Sequence, residues 1–430
     1  MKKRYYYPFK PFNLIFTMLC VLILGLFISM QIYADEPLVI VIDPGHGGEN
    51  LGAEYDGYTE KEITLPMAIS MKEELETFDD VVVYLTREDD RDLSIKERAE
   101  FAKEVNADFL YCLHFNASVN HNLFGAEVWV PSEGEYYSKG YAFAEILMSQ
   151  FEEMGLYSRG IKTRLNDEGI DYYGILRYCT SDEISIPAVL IEHCHLDNDK
   201  DKGFYQKDEE QLREFGRQDA LAVAKYFGLK SSETGLDFSD YSVSDIPVPD
   251  KRVAPDKTAP EVCNIEVTEV NQETGETTVK IEASDRDSYI LYCNYSLDGG
   301  KTYSPLAEWP RPKWNDSEKE HTITVTLPFE KETELRVKAY NGFDVWTESK
   351  SVFIGAIEDP AAKKAKEAEY ERLYKERAYE EISLTNKESI SRAPIWPVIA
   401  GIAGIVFCMF LTVMFLTRNI FRLLDSNNKR

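Results

Sequence analysis

Between residues 38 and 229 the sequence alternates short apolar runs with longer segments of helical periodicity. The short runs are apolar at consecutive positions, as in strands of a parallel sheet that helices cover on both faces. The runs are Leu38–Ile42, Val81–Leu85, Phe109–Leu113, Ala126–Val130 and Ala188–Ile191, and the helical segments are Glu62–Leu75, Ser94–Val105, Tyr141–Phe151 and Glu209–Phe227. This pattern predicts one α/β domain over residues 35–229, with a mostly parallel twisted sheet flanked by helices.

A different pattern, strict alternation of apolar and polar residues, marks residues 258–355, for example at Val279–Ala283 and Ile323–Leu327. Short strands with this period predict an all-β sandwich of the immunoglobulin or fibronectin kind. Cys263 and Cys293 either form a disulfide within it or stay two buried thiols. Residues 230–257, rich in Ser, Asp and Pro, predict an exposed linker. Few contacts normally cross such linkers, so we expect residues 35–235 to fold and work alone.

Two long uncharged runs, Leu14–Tyr33 and Ile395–Thr417, predict membrane segments near the two ends of the sequence. Basic residues precede the first run and follow the second, so the positive-inside rule places residues 35–393 outside the membrane. Residues 1–34 are then a signal peptide or an N-terminal anchor. A charged helical stalk (356–393), a transmembrane helix (394–417) and a cytoplasmic tail (418–430) complete the predicted order.

The charge balance narrows the choice of partner. Asp and Glu number 75 against 48 Lys and Arg, which gives a formal net charge of −27. A surplus this acidic repels phosphate backbones, so we expect no nucleic-acid partner. The seven cysteines include no CxxC pair, which leaves no indication of a structural zinc ribbon.

Candidate chemistry lies where the predicted strands end. His46 follows the first strand, His114 and Asn116 end the third, Glu192 ends the fifth, and Glu60 begins the first long helix. In an open α/β sheet, ligands bind beyond the carboxyl ends of the strands. Two histidines and one carboxylate form a catalytic zinc set that leaves a position for water. Each residue alone is more often structural, but their convergence on one sheet edge favours a metal site.

The same residues stand in motifs that resemble those of the zinc-dependent N-acetylmuramoyl-L-alanine amidases of the Amidase_3 type. The motifs are Val41–Gly48, Thr59–Glu62, Leu113–Ala117, Arg159–Lys162, Tyr173–Arg177 and Pro187–Glu192. The resemblance implies a membrane-anchored member of this family with an added β-sandwich. It implies that His46, Glu60 and His114 bind Zn²⁺ and that Glu192 is the catalytic carboxylate. The implied reaction cleaves the amide between the lactyl group of N-acetylmuramic acid and L-alanine in peptidoglycan.

Several alternatives stay open at this point. Arg177 and Asn116 are candidates for substrate binding, although an ion pair within the fold explains Arg177 equally well. Where the family usually has a small residue and an aromatic one after the catalytic carboxylate, this chain has His193, Cys194 and His195. Cys194 is either an extra metal ligand or a packing residue, and His195 is either an oxyanion stabiliser or a packing residue. Rival functions are a catalytically silent wall-binding protein, a zinc peptidase that cuts another stem-peptide bond, and a sandwich that binds a protein or wall partner. The predicted location is the bacterial cell membrane, with the catalytic domain facing the cell wall.

Overall fold

The computed structural model describes residues 36–206, 209–389 and 396–427, together with residues 16 and 18–21. The predicted signal peptide or N-terminal anchor, residues 1–34, otherwise lies outside the described residues. The α/β domain and the β-sandwich belong to one structural unit, and the helices after residue 355 belong to another.

The α/β domain has eight strands and six helices among its described residues. Its strands are β1 (Leu38–Pro44), β2 (Glu54–Tyr55), β3 (Tyr58–Thr59), β4 (Val81–Leu85), β5 (Phe109–Asn116), β6 (Ala126–Trp129), β7 (Ser158–Lys162) and β8 (Ala188–His195). Its helices are α1 (Glu60–Leu75), α2 (Ile95–Glu104), α3 (Gly134–Glu153), α4 (Gly174–Cys179), α5 (Asp199–Lys202) and α6 (Glu209–Phe227). The predicted α/β fold is confirmed, although the apolar pattern does not predict β7 or α4.

Six of these strands form one sheet in the order β4-β1-β5-β8-β6-β7. The first four are parallel, whereas β6 runs antiparallel to β8 and parallel to β7. Apolar side chains of α1 and α6, such as Met67 and Phe215, fill the core on one face, and Ala99 of α2 and Leu176 of α4 fill the other. The parallel strands therefore direct their carboxyl ends to the same edge, where the candidate site residues stand.

Residues 262–354 form two antiparallel sheets, as the alternating pattern predicts. The strands are β9 (Val262–Val270), β10 (Glu276–Ser284), β11 (Ile290–Ser296), β12 (Ala307–Glu308), β13 (Glu320–Thr326), β14 (Thr333–Asn341), β15 (Trp346–Glu348) and β16 (Val352–Ile354). One sheet has the order β13-β10-β9, and the other has the order β12-β11-β14-β15, with β16 also paired to β14. Cys263 and Cys293 are both buried free thiols, so the disulfide alternative is wrong.

The linker between the two folds lies against the α/β domain. The Val253 amide donates to the Ser132 carbonyl at 2.7 Å, and the Thr163 hydroxyl donates to the Val253 carbonyl at 2.7 Å. Ser138 donates in the same way to the Pro247 carbonyl at 3.1 Å. A proline-rich segment makes few hydrogen bonds of its own, so its backbone groups bond to the domain surface. Because the α/β domain and the sandwich also form one structural unit, the expectation that few contacts cross this boundary is wrong.

The second structural unit contains two long helices, α7 (Pro360–Ser389) and α8 (Trp396–Asn427). Asp359 caps α7, since its carboxylate accepts a hydrogen bond of 2.8 Å from the Ala361 amide. Within α8, residues Trp396–Asn419 have a mean hydropathy of 2.6. By length and composition this helix is sufficient to cross a bilayer.

Candidate active site

His46 lies in the loop after β1 with a left-handed backbone, φ 62°. A residue other than glycine persists there only when its surroundings hold it. Buried Arg98 donates to the His46 carbonyl at 2.7 Å and to the Asp43 carboxylate at 2.7 Å. Burial raises the pKa of Asp43, but the Arg98 guanidinium and the hydrogen bonds from Thr86 and Cys112 together outweigh it and keep that pKa below its ordinary value. Buried Arg87 donates to the Gly45 carbonyl at 2.9 Å. The two arginines thus fix the loop that presents His46.

Glu60, at the start of α1, is a buried carboxylate that stands between the two histidines. Its Oε2 lies 3.0 Å from His46 Nε2, and its Oε1 lies 2.8 Å from His114 Nδ1. The amides of Ala53 and Phe115 each donate to this carboxylate at 2.9 Å. Burial would raise the pKa of Glu60, but the hydrogen bonds with His114 and His46 outweigh it and lower the pKa. Glu60 is therefore an anion of fixed orientation.

The donor atoms of His46, Glu60 and His114 all lie within 4.8 Å of one another, as a metal site requires. Glycines make this approach feasible. A Cβ added to Gly52, whose φ is +72°, would lie 2.5 Å from Glu60 Oε2, and one added to Gly45 would lie 2.5 Å from His114 Cε1. Two imidazole nitrogens and one carboxylate oxygen are the donor set that zinc takes in catalytic sites. The residues present therefore fit zinc.

Glu192 lies within β8, in register with His114 of β5 and Glu127 of β6, so the strand continues three residues beyond the predicted end. It lines a cavity of about 380 Å³ together with His46, Glu60 and His114. Burial, together with the charges of Glu60 and Glu127, raises the pKa of Glu192 well above its ordinary value. Its Oε2 has no hydrogen-bond partner among the described residues. An unbonded carboxylate oxygen beside the candidate metal ligands fits the catalytic role that the sequence predicts for Glu192.

The two predicted substrate-binding residues occupy different positions. Asn116 lines the cavity, and its side-chain amide donates to Glu127 Oε1 at 2.8 Å. The Arg177 guanidinium instead donates to the carbonyls of Asp171 and Tyr172, at 2.6 and 3.1 Å. Arg177 is not among the described residues that line the cavity. These contacts favour a structural role for Arg177, and substrate binding by either residue stays a prediction.

His193, Cys194 and His195 are all buried, and none of them is among the described residues that line the cavity. His193 Nε2 lies 2.8 Å from the Asp219 carboxylate, and its Nδ1 lies 3.2 Å from the His114 carbonyl. Burial, reinforced by the charge of Arg159, lowers the pKa of His195 to about 4. These contacts favour packing over an extra ligand or an oxyanion stabiliser.

Sequence reasoning missed a buried group of charges beside the cavity. Glu127 Oε2 accepts hydrogen bonds from Arg159 Nε at 2.8 Å and from Lys162 Nζ at 2.7 Å. Burial would raise the pKa of Glu127, but the charges of Arg159 and Lys162 outweigh it and lower the pKa. The available signal was one acidic residue inside the otherwise apolar run Ala126–Val130.

The fold and this site together define a class, an α/β domain with a candidate hydrolytic metal centre at the carboxyl edge of its sheet. The sequence profile of the Amidase_3 family, N-acetylmuramoyl-L-alanine amidase, matches residues 40–225. These residues are an amidase domain of that family, as the motifs predict. We refer below to the α/β domain as the amidase domain.

Named proteins that are similar to this chain match it over part of its length. The chain is similar to the N-acetylmuramoyl-L-alanine amidase CwlM of Bacillus licheniformis, with 28% identity over 200 residues, 46% of this chain and 72% of the relative. Identity to the amidase AmiC of Escherichia coli O6:H1 is 33% over 99 residues, 23% of this chain and 24% of that protein. The solved catalytic domain of CwlV from Bacillus (Paenibacillus) polymyxa var. colistinus is 29% identical, with a TM-score of 0.37, and the match covers 44% of this chain and 98% of that domain. A relative from Buchnera aphidicola and one from Haemophilus influenzae are covered over only 40% and 24% of their own lengths.

Proposed function

We propose that the protein is a peptidoglycan hydrolase that cleaves the amide between the N-acetylmuramic acid lactyl group and L-alanine. One observation carries the proposal: a domain of the amidase family holds His46, Glu60, His114 and Glu192 around a single cavity. The presence of Glu192 counts against a silent wall-binding protein, which has no need of a buried base. The names of the relatives favour the lactyl amide over another stem-peptide bond.

In the proposed mechanism His46, Glu60 and His114 would hold zinc. When bound, zinc acts as a Lewis acid and lowers the pKa of water to about 7. Glu192 accepts the proton of the attacking water on its carboxylate and then gives it to the leaving nitrogen of L-alanine. Burial suits Glu192 to both tasks, because its raised pKa strengthens it as a base while keeping protonation accessible. Glu60, with its lowered pKa, stays an anion throughout.

Digestion of purified cell wall by the full chain tests the proposal. We expect free N-terminal L-alanine to appear as the wall dissolves, since the lactyl amide is the only bond whose cleavage frees that amine. End-group labelling of the digest measures it. A new amino terminus on another stem residue would instead identify a peptidase. Binding to the wall without any new amino terminus would identify a silent receptor.

We also propose that the amidase domain lies outside a bacterial cell membrane, facing the wall. The apolar helix Trp396–Asn419 supports this topology, and the basic residues Arg418 and Arg422 follow its uncharged part in the sequence. Protease added to intact, wall-stripped cells should remove the amidase domain and spare a cytoplasmic marker protein. Immunoblots against the domain check this. Survival of the domain until the membrane is breached would reverse the topology.

A further inference from the structure

Tyrosine hydroxyls connect the amidase domain to the sandwich in both directions. Tyr157 of the amidase domain donates to the Leu291 carbonyl, and Tyr292 of the sandwich donates to the Phe124 carbonyl. Tyr289 donates to the Arg159 carbonyl at 2.6 Å. Strand β7 accommodates this ring through Gly160, whose φ is +91°, because any Cβ there would overlap the Tyr289 hydroxyl. Directed bonds of this kind fix the orientation of the two folds.

A carboxylate of the sandwich completes the buried charge group of the amidase domain. Within that domain, one anion, Glu127, faces two cations, Arg159 and Lys162. Asp344 of the sandwich supplies the second anion, since its Oδ2 accepts from Arg159 Nη2 at 2.7 Å. An unbalanced buried charge is costly, so the two folds complement each other electrostatically. The group extends to the catalytic cavity through Asn116, which also bonds to Glu127.

A second cavity, of about 510 Å³, lies between the two folds and adjoins the first. Asn116 and Tyr173 line both cavities, so the two cavities meet at these residues. The far wall of the second cavity belongs to the sandwich and consists of Phe343, Asp344 and Val345, the turn after β14. A substrate that extends from the catalytic cavity into the second cavity would therefore contact the sandwich.

The charges of this second cavity indicate what it binds. The buried groups Glu127, Arg159 and Lys162 and the partly exposed Asp344 balance one another in charge. The lining also contains Asp256, whose carboxylate accepts hydrogen bonds from Thr258 and Asn341. Two exposed cations remain, Arg164 and Lys257, and neither has a carboxylate partner among the described residues. The Arg164 guanidinium stacks on the Tyr172 ring at 3.8 Å, which holds it in place. An ordered cation in a chain of net charge −27 favours an anionic ligand.

We propose that residues 342–345 of the sandwich form a wall of the substrate groove, and that the second cavity takes a carboxylate-bearing peptide. Given the proposed function, on which this inference rests, the peptide is the part of the stem beyond the cleaved lactyl amide. Phe343 packs against it, and Arg164 pairs with its carboxylates. The sandwich is therefore a specificity element of the amidase and not a separate binding module.

Phe343→Ala in the full chain tests this proposal, with Phe353→Ala as the matched control, because Phe353 is a sandwich residue that is 75% exposed. The substrates are a muramoyl dipeptide and a muramoyl tetrapeptide. We expect kcat/KM for the tetrapeptide to fall about tenfold in Phe343→Ala, mainly through KM, because one aromatic contact is lost. Cleavage of the dipeptide and both activities of the control should match wild type. Thermal unfolding midpoints check that both variants fold.

Arg164→Gln provides a second measurement at an exposed position, with Arg286→Gln, 78% exposed on the sandwich, as its control. We expect only Arg164→Gln to raise KM for the tetrapeptide and to weaken its salt dependence. Equal losses of kcat/KM on the dipeptide and the tetrapeptide would overturn the proposed role of the sandwich. No loss in either Phe343→Ala or Arg164→Gln would overturn it as well. Wild-type protein that cleaves neither substrate would overturn the proposed function, and the groove inference would fall with it.

Discussion

Replacing Glu192 by glutamine is expected to lower hydrolysis of the lactyl amide by a factor of about 10²–10⁴ while zinc stays bound. Glutamine keeps the size and shape of the side chain, but it cannot accept a proton. Glu192 Oε2 has no hydrogen-bond partner among the described residues, so the substitution breaks no bond at that oxygen. Metal analysis and the release of N-terminal L-alanine, measured on the same preparation, separate the two properties.

Glu62→Gln is the matched control for this variant. Glu62 stands two positions after Glu60 on the same helix, but its side chain is exposed and accepts a hydrogen bond from Thr59. The control should keep both zinc and activity. Loss of zinc from Glu192→Gln would make Glu192 a ligand, and full activity in that variant would assign the base to another group.

Replacing His46 or His114 by alanine is expected to remove both zinc and activity. Each substitution leaves two protein ligands where a catalytic zinc site has three. The glycine contacts at Gly45 and Gly52 leave little room for another side chain to take the missing place. Zinc content, measured after dialysis against a weak chelator, should fall well below one ion per chain.

His321→Ala, on strand β13 of the sandwich, is the control for the histidine variants and should keep its zinc. Glu60→Ala should lose zinc as well. That variant is less informative, because it also leaves the amides of Ala53 and Phe115 without their acceptor and so destabilises the fold. A histidine variant that retains a full zinc complement would refute the proposed ligand set.

Much of the amidase fold follows from local pattern. The bounds predicted for Val81–Leu85 and Glu209–Phe227 agree with the structure, because each segment carries one clear periodicity. The site also follows from topology, since parallel strands bring His46, His114 and Glu192 to one edge. The order of strands along the chain is therefore enough to predict that these three side chains converge.

Strand β7 and its charges could not be predicted in this way. The residues Ser158–Lys162 include an arginine, a lysine and a glycine, which argue against a buried strand, yet all five are buried. Their burial depends on Glu127, 32 positions before Arg159, and on Asp344, 185 positions after it. The local pattern of apolar and polar residues around β7 cannot predict ion-pair partners this distant in the sequence. The expectation that few contacts cross the linker is wrong for the same reason, whereas independent folding of residues 35–235 stays a prediction.

The pair formed by Arg159 and Asp344 limits how this chain can be rearranged by recombination. A crossover in the linker would join strand β7 to a foreign sandwich, and Arg159 would then depend on whatever group that sandwich places opposite it. Only a foreign sandwich that carries a carboxylate at the position of Asp344 would restore charge balance around Glu127. Chimeras built from this chain should therefore inherit β7 and the turn after β14 from a single parent.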